Sequence, residues 1–227
     1  MGFGAAAAAF CCVVYVSTNT LTRLSVFPLP GAILFPRMHL PLHIFEPRYR
    51  ALVSDAMARD RWVGMIQPRG PQQPQHGDAP PLFAIGCVGK IIDVEAHDDG
   101  RYNIVLQGQA RFRMVRELDV RTAFRQIEAE LEQVSDMPEQ LGIANRASLE
   151  REARKFAQTQ GYAVDWEAVS RLDDEALVNG IAQIAPFDPA AKQALLEAPD
   201  LPNRAELIVQ LMSFFGRHDG DDRVTLQ

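Results

Sequence analysis

His39 and His43 stand four residues apart, Cys87 is a single thiol in an apolar run, and Arg111 and Arg113 alternate ahead of Arg116, Arg121 and Arg125. Each set suggests a chemistry: metal ligation, nucleophilic attack and phosphate contact, respectively. Two ligands four apart share a helix face, but Pro41 lies between the histidines and makes the segment extended. In a strand their rings stand about 13 Å apart at 3.3 Å per residue, too far for one ion. Both are expected to be partly buried and hydrogen-bonded to backbone. A catalytic thiol needs a base and a depressed pKa; Cys87 in an apolar strand reads as packing. Arg111 and Arg113 share one strand face, and Glu117, Asp119 and Glu128 dilute the field, so a solvated face is expected rather than a nucleic-acid surface. No phosphate-binding G-x-x-x-x-G-K-[ST] loop, G-x-S-x-G elbow, H-E-x-x-H pair or dinucleotide fingerprint occurs. The expectation is a chain with no catalytic residue, no cofactor and no metal.

A second constellation suits binding. Phe35, Met38, His43, Phe45, Arg48 and Tyr49 crowd around Pro36, Pro41 and Pro47. Aromatic and arginine anchors beside rigid turns make good contact surfaces, although the same residues could simply join a helix to a sheet.

These residues need elements to hold them. Leu24 and Val26 alternate with polar neighbours up to the turn at Pro28–Gly31, Ala32 to Phe35 is apolar and stopped by Pro36, and Met38 to Phe45 is extended. Pro47 to Arg59 changes period: Tyr49, Leu52, Val53, Ala56 and Met57 form the apolar stripe of an amphipathic helix laid on a sheet, with Pro47 in its first turn. Trp62 to Ile66 is a strand, and 68–81 is an exposed loop rich in Pro, Gly and Gln. Phe83 to Glu95 and Tyr102 to Leu106 read as a hairpin around Asp98-Asp99-Gly100, followed by strands over Arg111 to Glu117 and Phe124 to Glu132. Gly86, Gly89 and Gly108 inside these strands predict bulges that curl the sheet.

After Pro138 the spacing is helical. Asn145 is the expected cap of a helix ending at Gly161; Asp165, Asp173 and Asp188 cap the next three; a last helix runs from Pro202 to Phe215 and ends at Gly216. Charge changes at the same place. Of 23 basic and 29 acidic residues, 1–130 hold 14 and 12, whereas 131–227 hold 9 and 17, a net of -8 against -6 for the whole chain. Such a balance does not drive condensation on nucleic acid or anionic lipid. The run Ala5 to Val16 is shorter than the roughly 20 residues of a membrane span and lacks a preceding basic residue, so residues 1–21 read as a disordered extension. Three cysteines give no disulfide framework, which points to reduced thiols in the cytoplasm.

The motifs resemble a known family. Phe27-Pro28-Leu29-Pro30-Gly31-Ala32-Ile33-Leu34-Phe35-Pro36, then Leu40-Pro41-Leu42-His43-Ile44-Phe45-Glu46-Pro47-Arg48-Tyr49, resembles the opening of the Lon protease N-terminal domain in its stand-alone bacterial form. Ile85 to Ile91, Gly100 to Gly108 with Ala110-Arg111-Phe112-Arg113, and Lys192 to Ala198 with Asn203-Arg204-Ala205 are similar to later blocks of the same family, so the likeness spans Leu24 to Phe215. The resemblance implies an α+β fold: a PUA-like curved sheet or pseudo-barrel with one helix over 22–132, an α-helical bundle over 138–217, and a flexible tail over 218–227. It also implies a non-catalytic module, without the ATPase and peptidase domains, that binds unfolded or hydrophobic protein segments and serves a protease or chaperone. RNA binding through the PUA-like barrel is the alternative.

Overall fold

Alternation of buried and solvated positions builds the first half. The structure, a computed structural model, describes residues 21–70, 80–132 and 139–221; the expected extension before Leu21, most of the loop over 68–81 and the last six residues lie outside them. The strands are β1 (Leu21–Pro28), β2 (His39–Ile44), β3 (Trp62–Ile66), β4 (Ile85–Ala96), β5 (Tyr102–Leu118) and β6 (Gln126–Leu131), with helix α1 (Pro47–Met57) between β2 and β3. They form one sheet in the order β2-β5-β4-β3-β1-β6, and β6 also pairs with β5, so five of the six strands close on themselves. The fold class is α+β, as the strand-then-helix order implied.

One strand, β5, is longer than the sequence suggested. β4 and β5 form a hairpin of 12 and 17 residues, and the expected strands at Tyr102 and Arg111 are one continuous β5. The first part of β5 pairs with β2 and the last part with β6. Register shifts at Val88/Gly89, Ile91/Asp93 and Met114/Arg116 supply the curvature that lets one strand serve both partners. At Gly108 the backbone passes so close to the Phe35 carbonyl that a Cβ would overlap it. Ala32 to Phe35 forms no strand; Ile33, Leu34 and Phe35 are an irregular plug buried in the core.

The curved sheet has two apolar faces. Leu24, Val26, Ile66, Val88, Ala110, Phe112, Ile127 and Ala129 pack together inside the closed strands. The other face, with Phe27, Ile44, Met65, Cys87 and Leu106, joins the α1 stripe of Tyr49, Leu52, Val53 and Ala56 and the helices of the second half in a single cluster.

Those helices are α2 (Ile143–Gln160), α3 (Trp166–Ser170), α4 (Asp174–Ile184), α5 (Pro189–Glu197) and α6 (Leu201–Asp221). Asp165, Asp173 and Asp188 cap α3, α4 and α5 through backbone N–H groups that donate to their carboxylates. Asn145 caps nothing: α2 begins two residues earlier, after an extended Gly142 whose carbonyl accepts from the Arg146 N–H. Gly161 does end α2, in the left-handed conformation. Gly216 does not end α6, which continues to Asp221 alongside α2; tertiary packing outweighs the roughly 1 kcal/mol helix cost of one glycine.

Buried polar groups fasten the helices to the sheet. The Gln67 amide donates to the Pro189 carbonyl (3.1 Å) and to Gln193 (3.3 Å), and the Gln193 amide donates to the Ile85 carbonyl (3.1 Å). Asn179 donates to the Pro36 carbonyl at 3.2 Å and accepts from Arg204 at 2.8 Å. Arg111, ion-paired with Glu132 at 2.6 Å, donates to the Leu196 and Ala198 carbonyls where α5 ends, satisfying acceptors a helix C-terminus leaves open.

Candidate functional site

The six residues singled out by sequence do not form one surface. Phe35 is 0 % exposed, its N–H facing Gln183 and its ring 5.6 Å from the Arg204 guanidinium carbon. Burial pushes the Arg204 pKa down to about 10, which leaves it charged at neutral pH. Tyr49 is also buried: its ring lies 4.0 Å from that of Phe27, its hydroxyl donates to the Pro28 carbonyl at 3.3 Å, and burial raises its pKa. Met38 is half-buried against the core, with its terminal methyl facing Gly180 of α4. These three hold the Pro-rich segment to the fold.

The other three face solvent. Phe45 is 60 % exposed and stacks at 6.1 Å on His43, whose Nδ1 lies 2.7 Å from the Asn103 carbonyl oxygen. Arg48 pairs with Glu46 at 2.8 Å and covers the outer side of the Tyr49 ring at 4.5 Å.

The other candidate chemistries meet different environments. Cys87 is fully buried and desolvation raises its thiol pKa strongly, which removes the thiolate a nucleophile requires. His43 sits on an extended β2 as expected, but it bonds a side chain, not backbone, and is exposed. Among the described residues no group of three or more His, Cys, Asp or Glu is arranged to hold a metal ion. Arg111, Arg116 and Arg125 each contact a carboxylate, Glu132, Glu128 and Glu117, at 2.6, 2.8 and 2.5 Å. Three of the five arginines of the stripe are therefore ion-paired.

A wide apolar recess lies elsewhere, in the helical half. Ala153, Phe156 and Ala157 of α2, Trp166 and Val169 of α3, and Gly180, Ile181 and Ile184 of α4 line an apolar groove of about 450 Å³, with Tyr162 and Val164 at its rim. Small residues on the inner faces of α2 and α4 leave the space, and the larger ones wall it. Ile184 is 80 % exposed, and Tyr162, Val164 and Leu172 are exposed as well. The Arg154 guanidinium lies 4.4 Å over the Trp166 ring and fixes that wall. Sequence reasoning missed this groove. The one signal available was the count of apolar residues on the short α3 and at 162–164 exceeding what a five-residue helix can bury.

The structure is thus a curved, partly closed sheet carrying a polar-fastened helical layer, with an open apolar groove between α2, α3 and α4. Residues 23–213 match the family model of the ATP-dependent protease La (LON) substrate-binding domain, and the chain belongs to that family. It is 29% identical over 197 residues to Lon protease 2 of Myxococcus xanthus, covering 84% of this chain and 23% of that protein. It is 26% identical over 190 residues to Lon protease 1 of Bdellovibrio bacteriovorus, covering 79% and 23%. The chain thus spans about a quarter of the length of these relatives. Among solved structures, the N-terminal domain of Mycobacterium avium complex Lon protease shares the fold with a TM-score of 0.62 at 21% identity, covering 85% of this chain and 98% of that one. A Lon N-terminal domain protein from Xanthomonas campestris does so at 0.61 and 22%, over the same shares. No helix among the described residues is long and apolar enough to cross a membrane.

Proposed function

We propose that the chain is a non-catalytic module that binds unfolded or hydrophobic protein segments in the groove between α2, α3 and α4, and presents them to a protease or chaperone in the cytoplasm. The observation that carries this reading is the groove itself. A continuous apolar recess of about 450 Å³, rimmed by exposed Tyr162, Val164, Leu172 and Ile184, costs solubility and is retained where a partner covers it. Membership of a substrate-binding family supports the same class of ligand. The groove is wide enough for a few large apolar side chains and has few polar groups to select a sequence, which suits clients recognised by exposed hydrophobicity.

Trp166 in the groove wall is a built-in reporter. Titration with a permanently unfolded, carboxymethylated client is expected to shift its fluorescence and to saturate. Introducing Ile184→Glu with Val164→Glu, both at exposed positions, should leave the circular dichroism spectrum native and weaken capture at least about tenfold, the worth of two buried apolar contacts. Capture undiminished in a natively folded double variant rules the groove out.

A further inference from the structure

Among the described residues, one strand has an unused edge. β1, β3, β4, β5 and β6 each pair with at least two neighbours, whereas β2 pairs with β5 alone. The Gly108 N–H donates to the Met38 carbonyl at 2.8 Å, so that carbonyl faces β5; strand alternation then turns the backbone groups of His39, Pro41 and His43 away from the sheet. The His39 carbonyl confirms this orientation, since it accepts from the Gln183 side chain of α4 at 2.7 Å. Pro41 has no N–H to leave unpaired. What remains open, among the described residues, is the His39 N–H, the Pro41 carbonyl and both backbone groups of His43, beside the exposed ring of Phe45.

The surface next to this edge is acidic. Register places Pro41, Val105 and Asp93 in one row across β2, β5 and β4, and His43, Asn103 and Glu95 in the next. The two rows bound a recess of about 370 Å³. The Asn103 amide donates to Glu95 at 2.8 Å, which turns its oxygen toward His43 Nδ1 at 2.7 Å. An amide so oriented requires His43 Nδ1 to carry the proton. Glu95 lies 4.0 Å from His97 Nε2, and among the described residues no arginine or lysine forms an ion pair with Asp93. The two carboxylates, Asp93 and Glu95, leave the recess negative.

We propose that an extended polypeptide segment bearing lysine or arginine adds to the sheet along β2. Its backbone completes the bonds of Pro41 and His43, and its basic side chain lies over the His43 ring into the recess held by Asp93 and Glu95. Pairing with an edge supplies affinity that is indifferent to sequence, and the carboxylates select basic over acidic segments. This edge is distinct from the helical groove, so either can fail without the other.

The test uses the full chain and labelled peptides of about eight residues, the length of an ordinary strand, read by fluorescence anisotropy. One peptide alternates Val and Lys, a second carries Glu in place of Lys, and a third is the Lys peptide N-methylated at every second amide. The Lys peptide is expected to bind, and each of the others to bind at least about tenfold more weakly, as the loss of two hydrogen bonds or of the charge match implies. His43→Pro, which deletes a donor at an outward position of the kind Pro41 already occupies, should weaken the Lys peptide comparably. Asp93→Asn with Glu95→Gln should erase the preference for Lys over Glu. The groove variant Ile184→Glu with Val164→Glu should bind the Lys peptide as the parent does. Absent binding of the Lys peptide, equal affinity for the Glu peptide, or indifference to N-methylation overturns the proposal.

Discussion

Phe35 and Phe45 are the same residue type ten positions apart, each next to a proline-containing turn, and their environments are opposite. Phe35 fills the space between β5, α4 and α6 at 0 % exposure, while Phe45 stands at 60 % at the end of β2. Truncating a buried phenylalanine costs about 3–5 kcal/mol through lost transfer energy and the cavity left behind. Phe35→Ala is therefore expected to lower the urea midpoint sharply and so to report on folding rather than on binding. Phe45→Ala should leave the midpoint within the scatter of surface changes, about 0.5 kcal/mol, while weakening a strand docked on β2. Equal midpoints for the two variants would contradict the burial assigned to Phe35. Neither hydropathy nor spacing separates these residues in the sequence, because both precede prolines in extended, aperiodic chain.

At the scale of elements, two junctions set the geometry of the candidate sites. Gly108 allows the Pro-rich segment before β2 to cross β5 at backbone contact. Gly108→Ala should cost about 1–3 kcal/mol, the range for overpacking a filled core, and differential scanning calorimetry would show it; an unshifted transition would mean that the segment simply yields. The second junction fastens α2 to α4. Asp174 accepts from Arg146 at 2.6 Å and from the Leu141 N–H at 2.8 Å. Burial alone would raise its pKa, but the two donors outweigh it and the carboxyl is held below its ordinary value. A carboxyl with a folded pKa below its unfolded one, about 3.9, stabilises fully above that value and loses the contribution as pH falls through the lower folded pKa. Asp174→Asn is thus expected to be less stable than the parent near neutrality and to converge with it in acid. A difference in urea midpoint that does not change with pH would show that the charge contributes nothing.

Across the whole molecule, one apolar cluster runs from Phe27 and Cys87 of the sheet to Leu195, Leu201 and Ile208 of the helices. Gln67, Gln193 and Asn179, all buried, are bonded across the same seam, and Arg204 holds Asn179 in place. We propose that residues 22–132 and 138–217, although of different architecture, unfold together. Each contains one tryptophan, Trp62 in β3 and Trp166 in α3, so Trp62→Phe and Trp166→Phe variants isolate one reporter each. Coincident urea transitions are expected; separate midpoints would show two independent units.

Much of this organisation was readable from short-range chemistry. Asp165, Asp173 and Asp188 announced three helix starts, Gly161 a stop, Pro47 the first turn of α1, and Asp98-Asp99-Gly100 the hairpin, because caps and turns are settled by steric and hydrogen-bonding preferences over a few residues. The same locality explains the failures at Asn145 and Gly216, where neighbouring helices, not the residue itself, decided the boundary. The motifs around Pro28, Gly86 and Arg111 were sufficient to place the family. Which aromatic residues point inward, the double pairing of β5 that closes the strands and strands β2 at an edge, and a groove assembled from α2, α3 and α4 were decided only by the tertiary structure. Each depends on contacts between residues far apart in the chain, and solvent exposure is a property of those contacts rather than of any residue type.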